Sequence, residues 1–263
     1  MGIHLGRIAS LFTSPVTTSV SFMPVELTAE DRNAMDEYAR VGRPLRCGNV
    51  TLKQSTPCTC GAMVVLASLV VTYPGLAETI AKHPETMRIL EEDLYEDLRR
   101  DAVGKRSWPE RFGTPPWTLA REMNDSVVEY IHRPVNDRSD NGWEILQWVY
   151  HATTQGHCVP LYTGNSLLSP HRYVGDRRGI LDQLTGAVPR HVVLAVPGEH
   201  LTTDGIPQLN IFDPSSGKIY PVPLYALTDR SQPMRALGNW NKIVWAVLPR
   251  PTKRDPYAED CGD

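Results

Sequence analysis

The run from Ala62 to Thr72 is the longest apolar stretch of the chain, and it admits few structures. Gly61 bounds it on one side and Tyr73-Pro74-Gly75 on the other, and it is too short to cross a hydrocarbon layer of about 30 Å. It reads as a buried helix, over which other elements must close. The segment before it, Leu52 to Cys60, is a polar, Pro-containing loop. Cys60-Gly61 is therefore a junction between a loop and a buried helix.

The remaining pattern places helices first and strands second. Glu26 to Val41 reads as a short helix with Thr28 as its N-cap, stopped by Gly42-Arg43-Pro44. Residues 1 to 23 form an arm or a strand. Ile80, Met87, Leu90, Leu94 and Leu98 recur at helical spacing, predicting two amphipathic helices broken at Pro84, with their Glu and Asp residues on a solvated face. Thr114-Pro115-Pro116 reads as an N-cap followed by Pro at the first helical position, leading a helix through Met123. Val127 to His132 reads as a strand and Gly142 to Thr154 as a helix. After Gly156 the strands are expected at Val159–Thr163, His191–Val196, Gln208–Phe212, Lys218–Val222 and Lys242–Leu248. This order predicts an α+β fold, a single domain over residues 1 to 263 with one core and an antiparallel sheet. Pro74 to Pro134 is expected to be an inserted helical subregion, and the tail from Pro249 onward to be frayed. The six Trp residues lie beside apolar positions and read as core or rim packing.

Composition narrows the function classes. A net charge of -3 and a pI near 6.2 provide no basic field for a phosphate backbone, so nucleic acid is excluded as the expected partner. No segment reads as a membrane span. The mildly apolar stretch from Arg7 to Met23 is interrupted by Pro15 and has no small-residue cleavage site, so a secretory signal is not expected. Five cysteines at scattered positions, Cys47, Cys58, Cys60, Cys158 and Cys261, do not make a disulfide framework. They point to a reducing, cytoplasmic setting.

Three segments carry chemistry. In Gln54-Ser55-Thr56-Pro57-Cys58-Thr59-Cys60-Gly61 the last thiol stands at a helix N-terminus, where the dipole and unpaired N–H groups favour the thiolate. Gly61 keeps the approach uncrowded, and Gln54 can donate a side-chain N–H to an oxyanion. Arg190-His191-Val192-Val193-Leu194 puts a histidine at the start of an apolar strand. Ile211-Phe212-Asp213-Pro214-Ser215-Ser216-Gly217 ends a strand with Asp in a tight turn. Each has a bland account: an inert buried thiol, a satisfied histidine, and ordinary turn chemistry. Their combination in order predicts a triad in which Asp213 orients His191 and His191 activates Cys60.

These residues resemble the bacteriocin-processing, papain-like cysteine peptidases, also called double-glycine leader peptidases, and their stand-alone relatives. The likeness lies in Gln54 with Cys60-Gly61, in His191 before Val-Val-Leu, and in Asp213-Pro followed shortly by Gly. The apolar strand after Gly156 also looks like the one that precedes the family's histidine. The resemblance covers short stretches between about residues 52 and 222. It implies a papain-like fold, a peptide or protein substrate and no cofactor, with Gln54 as oxyanion donor, Cys60 as nucleophile, His191 as base and Asp213 as orienting acid.

The departures from the family are also specific. Cys60 and His191 are much further apart than a compact peptidase domain requires, and Cys58 makes a Cys-x-Cys pair. No ABC-transporter segment follows within the sequence, so the family's leader-peptide substrate is not carried over. Three alternatives stay open at this level. One is acyl transfer to an amine on the same triad, as in transglutaminase-like enzymes. Another is a zinc site built on Cys47, Cys58 and Cys60 with a histidine. The third is a binding domain that keeps the fold without catalysis.

Overall fold

Helix α1, Cys60–Thr72, is buried from Cys60 through Ser68 and again at Val70. Its all-round apolar sequence requires this, because an exposed face would leave Val or Leu in water. Burying Met63, Val64 and Leu66, each 0 % exposed, stabilises the fold by about 1.5–3 kcal/mol per side chain. The computed structural model describes residues 41–251, except 101, 104–105, 110–112, 126, 137–139, 167–186, 229 and 231. The expected N-terminal arm lies outside this set, as do all of the helix from Glu26 but its last position and the tail beyond Pro251. Val41 itself has no helical structure.

Three two-residue strands precede α1: β1 Arg43–Pro44, β2 Arg46–Cys47 and β3 Val50–Thr51. After α1 come α2 Pro74–Lys82, α3 Glu85–Arg99 and α4 Pro116–Met123. The break between α2 and α3 falls at Pro84, as the sequence predicts. The structure moves the cap of α4 from Thr114 to Pro115, with Pro116 as the first helical residue and no side-chain cap. Strand β4, Val128–Pro134, and helix α5, Asp140–Thr154, follow. The rest of the sheet is β5 Val159–Ser166, β6 Ala187–Val196, β7 Gln208–Asp213, β8 Lys218–Pro223 and β9 Lys242–Pro251.

The fold is α+β, and the seven-stranded sheet runs in the order β1-β8-β7-β6-β5-β9-β4 with every neighbouring pair antiparallel. Both faces are covered. Strand alternation sends Tyr162, Val192, Leu194, Val196 and Phe212 into one apolar cluster with α1. Leu161, Val193, Ala195, Leu209 and Ile211 join Ile145, Leu146 and Val149 of α5 in the other.

The segment between α1 and α5 is not helical throughout. It ends in β4, an edge strand paired along its whole length with β9. Its helices lay Ile80, Leu98 and Leu119 into the cluster that contains α1, since helices this short need tertiary burial to persist. The acids of α3 are not all solvated either. Glu91 is 0 % exposed, a correction to the solvated face. The expected fraying at Pro249 is likewise corrected, because β9 continues through Pro251, with Pro249 opposite Tyr130. Among the tryptophans, Trp240 is buried and Trp143 stacks on Tyr225 at 5.3 Å, while Trp117 is exposed and meets Trp108 edge-on at 5.4 Å. No single helix among the described residues is long and apolar enough to cross a membrane.

Candidate active site

Cys60 is the first residue of α1, and the turn before it leaves the helix end open. Thr59 holds the N-cap position but makes no side-chain cap bond. Its hydroxyl instead turns back into the loop, donating to the Thr56 carbonyl at 3.1 Å and accepting the Thr56 N–H at 3.2 Å. No acidic side chain lies in the first turn, so the positive end of the helix dipole is uncompensated where the sulfur sits. Gly61 is required there, since an added Cβ would lie 2.6 Å from the Cβ of Thr114.

The loop ahead of Cys60 is fixed on two sides. Gln54 donates its backbone N–H to the Pro214 carbonyl at 3.0 Å, and Ser55 donates its own to Oε1 of buried Glu91 at 2.9 Å. The Gln54 side chain has one amide N–H on the Thr56 carbonyl at 2.7 Å, and its Oε1 is buried without a protein partner.

His191 follows an irregularity in β6. Thr163 pairs with His191 but Gly164 pairs with Pro189, so Arg190 is an extra residue, and such a bulge re-aims the side chains beside it. The ring rests against Gly238, where an added Cβ would collide with it. His191 Nε2 donates to Asp213 Oδ1 at 2.7 Å, with both side chains 3 % exposed. That leaves Nδ1 for the sulfur of Cys60, which is close enough for each group to shift the other's titration. Asp213 accepts further bonds from Ser215 N–H at 3.1 Å, Ser215 Oγ at 2.7 Å and Ser216 N–H at 3.1 Å. The turn chemistry and the triad arrangement therefore coexist, because the turn supplies the donors that hold the carboxylate.

The electrostatics favour charge separation. Burial raises the Cys60 thiol, but the hydrogen bond and charge of His191, with the N–H groups of Val192 and Gly61, outweigh it and hold the thiol below its ordinary value. Burial pulls His191 down, yet its hydrogen bonds to Asp213 and Cys60 and their charges lift it to about 9. Burial also raises Asp213, and the hydrogen bond and charge of His191 with the Ser215 and Ser216 donors bring it below the usual carboxylate range. With His191 lifted to about 9 and the Cys60 thiol lowered, the shifts favour a thiolate beside an imidazolium over the neutral pair.

A cavity of about 190 Å³ opens over this pair, lined by Cys58, Cys60, Thr114, Tyr162, Arg190 and His191 among others. Gln54 is not part of its lining. Tyr162, Thr114, Gly238 and Glu91 are site residues that sequence reasoning did not single out. Only Gly238-Asn239 carried a signal, as a turn pair before a strand. No disulfide joins Cys47, Cys58, Cys60 or Cys158. Among the described residues no three His, Cys, Asp or Glu side chains gather as a metal site, so the zinc alternative has no ligand set there. No protein-family model matches the chain, and no curated protein matches it.

Proposed function

We propose that the chain is a papain-like cysteine hydrolase of the peptidase or amidase class, acting through a thioester on Cys60. The observation that carries this reading is the buried relay from Asp213 through His191 to a thiol at the open end of a helix. The papain-like assignment rests on a nucleophile helix packed against an antiparallel sheet whose adjacent strands carry the histidine and the acid.

The Cys60 thiolate adds to the substrate carbonyl, forming a C–S bond and an oxyanion. The N–H groups at the start of α1 stabilise that oxyanion, and the second amide N–H of Gln54 serves it once the side chain turns toward the cavity. Collapse restores the carbonyl and breaks the bond to the leaving group, which takes a proton from the His191 imidazolium. Neutral His191 then removes a proton from water, the hydroxide attacks the thioester, and the thiolate departs. Burial of Asp213 keeps the ring in one orientation through both halves.

The substrate class is a peptide or protein, and a reducing, cytoplasmic setting suits a reaction that needs a free thiolate. Mass spectrometry after incubation with p-nitrophenyl acetate tests the reading. An acetyl group should appear on Cys60 and turn over, and both Cys60→Ala and His191→Ala should abolish it. Acetylation confined to other cysteines would refute the assignment.

A further inference from the structure

Two hydroxyls in the wall of the Cys60 cavity are buried and have no hydrogen-bond partner in the protein: Tyr162 Oη and Thr114 Oγ1. Tyr162 is 2 % exposed and Thr114 4 %. A buried hydroxyl without a partner loses its hydration and gains nothing in return. Phenylalanine would fill the same apolar space without that loss. The phenol therefore points to a partner that arrives in the cavity.

Tyr162 stands on the face of β5 that packs beneath α1. It lies close enough to Cys60 for the thiolate's charge to act on it. Burial, and then that charge, hold the phenol well above its ordinary value, so it stays protonated and is a donor at every pH at which the thiolate reacts. Thr114 lies at the helix end, against Gly61. The Gln54 amide has one N–H engaged with Thr56 and is outside the cavity lining. Of these groups, Tyr162 combines full burial, an unused donor and proximity to the sulfur.

We infer that Tyr162 donates a hydrogen bond to the oxyanion formed when Cys60 attacks a substrate carbonyl. This assignment rests on the hydrolase reading. As the C–S bond forms, the carbonyl π pair moves to oxygen and the Tyr162 O–H bonds to it without transferring its proton. When the carbonyl re-forms, the bond weakens and the leaving group departs with the proton from His191. The donor thus acts most strongly in the transition state, where it lowers the barrier instead of merely tightening binding.

Two reactions of Cys60 separate this role from support of the thiolate. Acetylation by p-nitrophenyl acetate passes through an oxyanion, and alkylation by iodoacetamide does not. Tyr162→Phe should slow acetylation by about 10²–10³-fold and leave alkylation unchanged, which also reports that the site is folded. Equal slowing of both reactions, or of neither, overturns the assignment. So does a selective loss of acetylation in Thr114→Val with none in Tyr162→Phe. A parent chain that is alkylated at Cys60 but never acetylated there overturns the hydrolase reading and this assignment together. Acetylation of the parent at an undiminished rate in Tyr162→Phe overturns only the role of Tyr162.

Discussion

The backbone N–H of Gln54 donates to the carbonyl of Pro214 at 3.0 Å, which ties the loop that ends in the Cys60 thiol to the turn that holds the Asp213 carboxylate. Asp213 and Cys60 are far apart in sequence, yet one hydrogen bond joins the turn of the first to the loop of the second. On its other side the same loop is held by Glu91 of α3. The triad geometry therefore depends on the loop and its two anchors as well as on the sheet that positions His191.

The ion pair fixes the pH dependence. Activity should rise as the Cys60 thiol loses its proton, with a midpoint below the ordinary thiol value, and fall as His191 loses its own near its value of about 9. The alkaline limb arises because neutral imidazole cannot protonate the leaving group. The hydrogen bond and charge of Cys60 help to hold His191 up, so Cys60→Ala should lower the histidine's midpoint in an NMR titration. A midpoint that stays near that of the parent would rule out the pairing.

Asp213 is expected to act by orientation. Its carboxylate is held by the Ser215 and Ser216 donors at 2.7–3.1 Å, and Asn in its place retains an oxygen that can accept from His191. Since His191, with its value of about 9, carries the proton before attack, little new charge on the imidazole needs neutralising. Asp213→Ala should lose on the order of 10²-fold in kcat through misorientation, and Asp213→Asn clearly less. Steady-state kinetics of the two variants decide it, and equal losses would point to charge instead.

Glu91 should behave as an anchor of the nucleophile loop. Its Oε1 accepts the Ser55 N–H at 2.9 Å in a fully buried setting, and Glu91→Ala leaves that donor unpaired at a cost of about 1–3 kcal/mol. Thermal unfolding should report the loss and Cys60 alkylation should slow. Glu91→Gln retains an acceptor oxygen and should recover much of both. If Glu91→Ala alkylates at the parent rate, the anchor has no influence on the thiol.

Much of this arrangement was legible in the sequence. The apolar run after Gly61 requires a buried helix, and the strands after Gly156 predict an antiparallel sheet. Local pattern suffices where one period dominates. It fails where tertiary placement decides. Glu91 belongs by pattern to a charged helical face, yet the crossing of α3 beneath the Ser55 loop buries it. Thr114 has the residue type of an N-cap, but Pro115 takes the cap and Thr114 faces Gly61 instead. Tyr162 reads as one more apolar strand residue, and only its placement under Cys60 makes its hydroxyl conspicuous.

Gly238 and Gly205 together provide the sharpest test of how tightly His191 is held. Both have left-handed backbone, with φ of +66° and +77°, so alanine at either should cost about 1–2 kcal/mol from conformation alone. Their surroundings differ. Nothing lies within 4 Å of a Cβ added at Gly205, whereas at Gly238 it would strike the His191 ring. The ring has little room to retreat, being bonded to Asp213 on one nitrogen at 2.7 Å and facing Cys60 with the other. Gly238→Ala should therefore displace the imidazole, raise the midpoint for Cys60 alkylation toward that of an ordinary thiol, and abolish turnover. Gly205→Ala should lose a similar conformational increment of stability and keep both the midpoint and the turnover of the parent. Matching alkylation profiles in the two variants would mean that Gly238 serves only its turn and that the packing behind His191 does not set the ion pair.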